Sequence, residues 1–171
     1  LSLVYLPHLD YDFQRFGPMD PQVFPALSEI DEVVGDLISF YEARGIRLLI
    51  LSEYGISPVS NVIYPNRIFR SEGWLSIKDE LGLEYLDCGG SRAFAITDHQ
   101  VAHIYLNDQS DSFRNKVRSR LENIEGIEKV LDNEGKKEVG LNHSRAGDFV
   151  LFSKEHSWFA YYHWEDDQLA P

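Results

Sequence analysis

The first third of the chain alternates apolar and polar blocks that predict a strand, a helix and a second strand. The apolar runs LSLVYL (1–6) and IRLLIL (46–51) are short and continuous, which is typical of strands buried on both faces. Between them, apolar residues recur at steps of three and four and predict an amphipathic helix. The apolar positions of this helix are Leu27, Ile30, Val34, Leu37, Ile38 and Tyr41.

The ends of this helix carry residues that helix termini prefer. Ser28 and Asp31 are predicted to cap its first turn, and Gly45 after Arg44 is predicted to end it. The Pro- and Gly-bearing stretch before the helix is predicted to be a loop. A strand, a helix and a strand without a hairpin form a βαβ unit, so the two strands are predicted to be parallel.

Beyond residue 60 the pattern changes to short strands and turns. RAFAIT (92–97) and QVAHIYL (100–106) alternate around a DH turn and predict a β-hairpin. Residues 110–126 predict a helix capped by Ser110 or Asp111, with one apolar stripe. Further strands are predicted at 127–131, 147–153 and 157–164, with a short helix or turn from 133. This part is predicted to be an α+β unit, for which a ferredoxin-like arrangement is one candidate.

Charge and composition exclude several classes of function. The chain has 16 Lys and Arg against 28 Asp and Glu, a net charge of -12, so binding to a nucleic-acid polymer is disfavoured. No apolar run approaches the roughly 20 residues of a membrane span. The single cysteine, Cys88, excludes an internal disulfide. These features, with no signal-peptide pattern, predict a cytoplasmic protein.

Polar side chains follow both predicted strands at their carboxyl ends. Asp10, Asp12 and Gln14 come after the first strand, and Glu53 and Tyr54 come after the second. Parallel strands end at the same edge of a sheet, where open α/β folds bind ligands, so these side chains are predicted to converge. Carboxylate and amide oxygens there could bind a divalent metal ion. The alternative, which the spacing leaves open, is that they are solvated or capping groups.

The order of several motifs resembles one known family. YLPHLDYDFQRFGP (5–18), LLILSEYGIS (48–57) and HSRAGDFVLFSKEHSWFAYYHW (143–164) resemble the type I phosphodiesterase/nucleotide pyrophosphatase group of the alkaline phosphatase superfamily. That family carries Asp-x-x-x-His before Gly-Pro, and later Ser-Asp-His-Gly. Asp10 and Glu53 stand at carboxylate positions of these motifs, whereas Gln14 and Tyr54 stand where the family has histidines.

The resemblance implies a fold and a division of the chain. Residues 1–59 are expected to be part of an α/β catalytic core with an alkaline-phosphatase-like parallel sheet. Residues 60–155 are expected to be an inserted α+β unit that caps the core, and residues 156–171 a strand returning to the core. The chain opens within an apolar run, and the family's nucleophile and last histidine ligand lie outside it. We therefore expect a fragment that is inactive alone.

The resemblance also implies an activity, with one alternative. The full-length protein is expected to be a hydrolase that uses two divalent ions, zinc or a harder ion such as Mn²⁺, Mg²⁺ or Ca²⁺, on small phosphate or phosphonate esters. Asp10 and Glu53 are the expected metal ligands, and Gln14 and Tyr54 are weaker candidates. The alternative is a non-catalytic module that binds a small molecule or partner through a degenerate metal site.

Overall fold

The computed structural model describes residues 2–171 and divides the chain into two compact units, Leu1–Pro58 and Val59–Pro171. It contains helices together with parallel and antiparallel strand pairs, so the predicted α/β class is confirmed. No helix within residues 2–171 is long and apolar enough to cross a membrane.

The first unit begins with a helix where a loop was predicted. Helix α1 (His8–Phe16) starts directly after Pro7 and ends at Gly17, whose φ of 87° stops a helix. Its half-buried side chains Leu9, Phe13 and Phe16 recur at helical spacing. The loop prediction was wrong because Pro7 and the Gly17-Pro18 pair lie outside the two ends of the apolar repeat and do not interrupt it.

The long predicted helix is present, although it starts earlier than predicted. Helix α2 (Phe24–Glu42) directly follows a 3₁₀ turn, Pro21–Val23. The Asp20 carboxylate caps this turn by accepting a 2.9 Å hydrogen bond from the backbone N–H of Gln22. Ser28 therefore lies inside the helix, and its predicted capping role is wrong. Pro25 lies in the first turn of α2, where proline is tolerated, so the helix can begin before Leu27.

The two strands predicted for the first unit are not formed. No segment among its described residues 2–58 is assigned as a strand, and the predicted strand residue Leu1 lies outside the described part of the chain. Leu3, Leu49 and Leu51 are 96%, 85% and 73% exposed. A buried strand needs neighbours that take up its backbone N–H and C=O groups, and within this unit the two runs pair neither with each other nor with another segment.

The second unit contains eight short strands and three helices among its described residues. Its elements are β1 (Asn61–Ile63), α3 (Pro65–Ser71), β2 (Ser76–Glu80), β3 (Leu83–Asp87), β4 (Ala93–Asp98), β5 (Val101–Leu106), α4 (Asp111–Glu122), β6 (Ile127–Leu131), α5 (Asn133–Glu138), β7 (Phe149–Ser153), β8 (Ser157–Phe159) and a 3₁₀ turn, Asp167–Leu169. β1 pairs with β8 in parallel, and β2 with β3 as a hairpin. The predicted hairpin around the DH turn is confirmed as β4 and β5.

The main sheet of the second unit has the order β4-β5-β7-β6, and all its neighbours are antiparallel. β5 and β6 are therefore parallel to each other, on either side of β7, and α4 connects them. This split βαβ arrangement is one half of a ferredoxin-like topology, in which hairpin strand β4 supplies the fourth strand. The predicted α4 stripe is confirmed, since its residues are buried in the same hydrophobic core as the sheet: Phe113, Val117 and Leu121.

A buried asparagine connects α3 to the edge of this sheet. The Asn66 amide nitrogen donates to the Ala95 carbonyl at 2.9 Å, and its carbonyl oxygen accepts from the Ala95 N–H at 2.8 Å. The side chain is thus the hydrogen-bonding partner that an edge strand otherwise lacks. The same amide also donates to the carbonyl of Tyr161 at 3.3 Å, so α3, β4 and the C-terminal segment are fixed together.

The aromatic C-terminal segment is a strand only over its first three residues. β8 ends at Phe159, whereas the predicted strand ran to residue 164. The following residues are held by side chains of α3: Arg67 Nε donates to the Trp164 carbonyl at 2.6 Å, and Arg70 donates to the His163 carbonyl at 3.2 Å. Because arginine side chains take up these carbonyls, the segment needs no strand partner there.

Candidate functional site

Helix α1 arranges the polar residues of the first motif on two sides. Asp10 lies in its first turn, and Gln14 lies four residues later on the same face. His8 and Asp12 are each two residues from Asp10, which places them on the other side of the helix. The amino-terminal turn of a helix favours negative charge, so the position of Asp10 suits an ionised carboxylate.

The SEYG motif is a fixed bend in the first unit. The Ser52 hydroxyl donates to the backbone carbonyl of Tyr54 at 2.6 Å, a side-chain to backbone bond that stabilises short turns. Ser52 was not among the predicted site residues. A Ser two residues before the candidate Tyr is the sequence feature by which it could have been found.

Asp10 and Tyr54 meet directly. The Tyr54 hydroxyl donates a 2.7 Å hydrogen bond to Oδ2 of Asp10, across 44 residues of sequence. Two of the four predicted site residues are therefore brought together, although neither of the predicted strands that were to bring them together is formed. The contact is accessible to solvent, and Tyr54 is 50% exposed.

This contact changes the acidity of the phenol. The hydrogen bond to Asp10 raises the pKa of Tyr54 to about 12, with smaller contributions from desolvation and from the charges of Asp10, Tyr5 and Glu53. Tyr54 is therefore a neutral hydrogen-bond donor at neutral pH. A neutral phenol is a poor metal ligand.

Gln14 and Glu53, the other two candidates, lie near Asp10 and Tyr54 in the sequence, but neither takes part in the hydrogen bond between them. Glu53 and Gln14 are both exposed, and the charge of Glu53 contributes to the raised pKa of Tyr54. Throughout residues 2–171 there is no group of three or more His, Cys, Asp or Glu side chains arranged to hold a metal ion. The role of Asp10, Glu53, Gln14 and Tyr54 as metal ligands stays a prediction.

The kinds of ligand atom among the four predicted site residues indicate which metal ions they would suit. Asp10, Gln14, Glu53 and Tyr54 offer only oxygen donors, which hard cations such as Mg²⁺, Mn²⁺ and Ca²⁺ prefer. Zinc sites are built mainly from imidazole and thiolate groups. The carboxylates of Asp10 and Glu53 and the amide oxygen of Gln14 would suit a share in the coordination of one hard divalent ion, and these residues alone would not supply two zinc sites.

The first unit also has a shallow groove of about 600 Å³ that is lined by other residues. The groove lies between the end of α2 and the apolar run that follows it. Its lining residues are Ile38, Glu42, Gly45, Ile46, Arg47, Leu48 and Ile50. It includes none of the four predicted site residues.

Comparison with known proteins identifies the family. The sequence profile of the type I phosphodiesterase/nucleotide pyrophosphatase family matches residues 1–170. An uncharacterized pyrophosphatase/phosphodiesterase of Schizosaccharomyces pombe is 29% identical over 116 residues, which cover 66% of this chain and 23% of the yeast protein. The chain therefore spans less than a quarter of that relative.

Solved structures of two enzymes match the chain to different extents. Murine ectonucleotide pyrophosphatase/phosphodiesterase 5 matches with a TM-score of 0.61 at 17% identity, over 92% of this chain and 38% of its own, and its inactive variant in complex with AMP matches equally well. Phosphonoacetate hydrolase from Sinorhizobium meliloti matches with a TM-score of only 0.44, at 25% identity, over 60% of this chain and 24% of its own.

The murine enzyme supports the fold, and the profile match covers nearly the whole sequence. The resemblance noted from the sequence motifs is thereby confirmed: the chain belongs to the type I phosphodiesterase/nucleotide pyrophosphatase family.

Proposed function

We propose that the protein hydrolyses phosphoester or pyrophosphate bonds of small molecules, with Asp10 and Glu53 among the ligands of a divalent metal ion. The observation that carries this proposal is the family match over residues 1–170. The complex of the murine relative with AMP supports a small phosphoester as the class of ligand. Phosphonate esters remain within the proposal.

The residues of this chain have defined parts in that proposal. Asp10 presents a carboxylate from the first turn of α1, and Glu53 presents one from the bend that Ser52 fixes. Gln14, one turn after Asp10, would add an amide oxygen. A bound divalent ion would supply positive charge that stabilises the oxygens of the phosphoryl group during transfer. No Ser or Thr of this chain is assigned as a nucleophile.

Three predictions from the sequence are part of the same proposal. The division into a core at 1–59, an insertion at 60–155 and a returning strand at 156–171 is one. A pair of metal ions is the second, and the additional ligands would have to come from residues other than the four named here. A cytoplasmic location is the third.

An assay of the intact protein tests the class of reaction. We expect hydrolysis of bis(p-nitrophenyl) phosphate or of a dinucleotide pyrophosphate after Mn²⁺, Mg²⁺ or Zn²⁺ is added, and its loss after a chelator is added. A p-nitrophenyl monoester serves as the comparison substrate. No hydrolysis of any phosphorus ester with any of the three ions would reject the enzymatic proposal.

A second candidate function is a non-catalytic binding module. The observation that favours it is the direct contact between Tyr54 and Asp10, where the family motif has a histidine at the tyrosine position. Binding of AMP by calorimetry, without turnover under any of the metal conditions above, would favour this candidate. Only turnover distinguishes the two functions, because both an enzyme and a binding module could bind AMP.

A further inference from the structure

We propose that Tyr54 weakens metal binding at Asp10, because its hydroxyl competes with a divalent cation for the Asp10 carboxylate. The inference rests on the proposed function in one respect, namely that Asp10 is a metal ligand. It differs from the expectation of the family resemblance, in which the residue at position 54 is itself a ligand.

The geometry of the contact supports competition. The phenolic O–H points at Oδ2 of Asp10 across 2.7 Å, so the proton lies on a lone pair that a cation would use. Metal–carboxylate distances are about 2.0–2.6 Å, which brings a cation on the same oxygen close to that positively polarised proton. A cation that takes this lone pair must therefore displace the hydroxyl, whereas the second lone pair of Oδ2 and the other oxygen of Asp10 stay open to it.

The phenol is held in place from its backbone side. The Ser52 hydroxyl donates to the Tyr54 carbonyl at 2.6 Å, which restrains the bend that carries the ring. The contact spans 44 residues, so it also connects the bend to α1. When the Tyr54 hydroxyl is replaced by a hydrogen atom, water takes its place as the group that competes with a cation for this oxygen of Asp10.

The size of the effect follows from the exposure of the contact. A net hydrogen bond in a protein changes an equilibrium by roughly two- to tenfold. Since Tyr54 is 50% exposed, water replaces part of the lost interaction. We therefore expect Tyr54→Phe to bind Mn²⁺ roughly two- to fivefold more tightly than the wild-type protein, in the lower part of that range.

The test measures Mn²⁺ affinity of the intact protein, by calorimetry or by electron paramagnetic resonance, and needs no turnover. Tyr11→Phe is the matched control, because Tyr11 is a 79% exposed tyrosine of the same unit, and it should bind Mn²⁺ as the wild type does. Asp10→Asn should bind weakly, and the double variant Asp10→Asn/Tyr54→Phe should bind no better than Asp10→Asn. If Tyr54→Phe does not fold, Tyr54→Leu removes the same hydroxyl.

The outcomes separate this inference from the proposed function. Suppose Asp10→Asn weakens Mn²⁺ binding while Tyr54→Phe leaves it unchanged or weakens it: the inference is then wrong and the proposed metal site stands. A gain in Tyr54→Phe that persists in the double variant also overturns the inference, since the gain would not act through Asp10. If no variant binds Mn²⁺ in a way that depends on Asp10, both are wrong.

Discussion

The hydroxyl of Tyr54 and the carboxylate of Asp10 form a 2.7 Å hydrogen bond between the SEYG bend and helix α1. The two residues come from the two motifs that carry the family resemblance. The phenol stands at the position where the family motif has a histidine.

The first prediction concerns the ionisation of Tyr54. Its pKa of about 12 in the folded protein lies above the ordinary 10.0, chiefly because of the hydrogen bond to Asp10. In Asp10→Asn the pKa should fall toward 10.0, since the acceptor loses its charge. Ultraviolet absorbance of the tyrosinate, with Tyr54→Phe as the blank, measures the change.

The raised pKa of Tyr54 also makes the stability of the fold depend on pH. A group whose pKa is raised on folding contributes stability that is fully present below its unfolded pKa and is lost as the pH rises through the folded value. The contribution of Tyr54 should therefore be constant below about pH 10 and vanish toward pH 12. Equal titration curves in the wild-type protein and Asp10→Asn would contradict the assigned cause.

The second prediction restores one histidine of the family motif. Gln14→His places an imidazole one helical turn after Asp10 on the same face of α1, and side chains four residues apart on a helix can ligate one ion. We expect Zn²⁺ affinity to rise by on the order of tenfold or more, because zinc favours imidazole over an amide. Calorimetry measures it.

Gln22→His is the matched control for that variant. Gln22 is an exposed glutamine of the 3₁₀ turn that follows α1. Its side-chain amide lies 3.3 Å from a carboxylate oxygen of Asp20, so its replacement adds an imidazole to the same unit beside a carboxylate other than Asp10. An equal rise in Zn²⁺ affinity in both variants would show that added imidazole alone, and not the pairing with Asp10, causes the gain.

The third prediction concerns the ion pair between Arg70 and Glu84. Arg70 donates two hydrogen bonds to the Glu84 carboxylate, one of them at 2.8 Å, and Nε2 of His163 lies 2.8 Å from the Glu84 carbonyl. The Glu84 side chain is only 10% exposed. Glu84→Gln should lower the free energy of unfolding by about 2 kcal/mol, because Arg70 then keeps only the more distant Glu165 carboxylate, at 3.9 Å, as a charged partner.

Acid should remove this contribution. The hydrogen bond from Arg70 lowers the pKa of Glu84 below its ordinary 4.5, so the stabilisation is present above about pH 4.5 and is lost as the pH falls through the folded value. The difference in urea unfolding between wild type and Glu84→Gln should be full at about pH 7 and should shrink progressively as the pH falls below about 4.5. The exposed Glu80→Gln is the control and should change stability by less than about 0.5 kcal/mol.

The fourth prediction concerns the turn between β2 and β3. Leu81 and Gly82 both have positive φ, 59° and 83°, the geometry of a type I′ turn that prefers Asn-Gly. Leu81 is fully exposed and gains nothing from packing. Leu81→Asn should therefore raise the free energy of unfolding by about 1 kcal/mol, measured by urea denaturation.

Leu81→Ala separates conformation from side-chain character in that test. Alanine removes the exposed leucine side chain but keeps a β-carbon in the left-handed region, so it should not produce the gain. A similar increase in both variants would assign the effect to loss of an exposed apolar group.

Local patterns in the sequence predicted the second unit well. The α4 stripe and the β4–β5 hairpin depend on neighbouring residues and on contacts within one sheet, so their periodicity suffices. The first unit was harder. The predicted strands 1–6 and 46–51 depend on pairing with other strands, which a periodic pattern does not supply.

The candidate site was predicted through the wrong intermediate structure. Asp10 and Tyr54 were expected to converge from two parallel strand ends, and they do meet, but from a helix and a bend. Helix α1 was missed because its Pro and Gly residues were taken as interruptions when they mark its two ends. Ser52 was missed because the family motifs point to metal ligands, whereas its role is a hydrogen bond to the backbone, for which a Ser two residues before Tyr54 is the local signal.

The fifth prediction concerns the central claim, that Asp10 serves a metal-dependent hydrolase. Asp10→Asn keeps the shape of the side chain and removes its charge. The matched control is Asp12→Asn, on the same helix but on the opposite side from Asp10. Both variants should keep the fold of the wild-type protein, which circular dichroism checks.

The most direct measurement is kcat/KM of the intact protein for bis(p-nitrophenyl) phosphate in the presence of Mn²⁺. We predict that Asp10→Asn lowers kcat/KM by on the order of 100-fold or more, while Asp12→Asn stays close to the wild-type value. Equal activity in Asp10→Asn, Asp12→Asn and the wild-type protein would contradict the account.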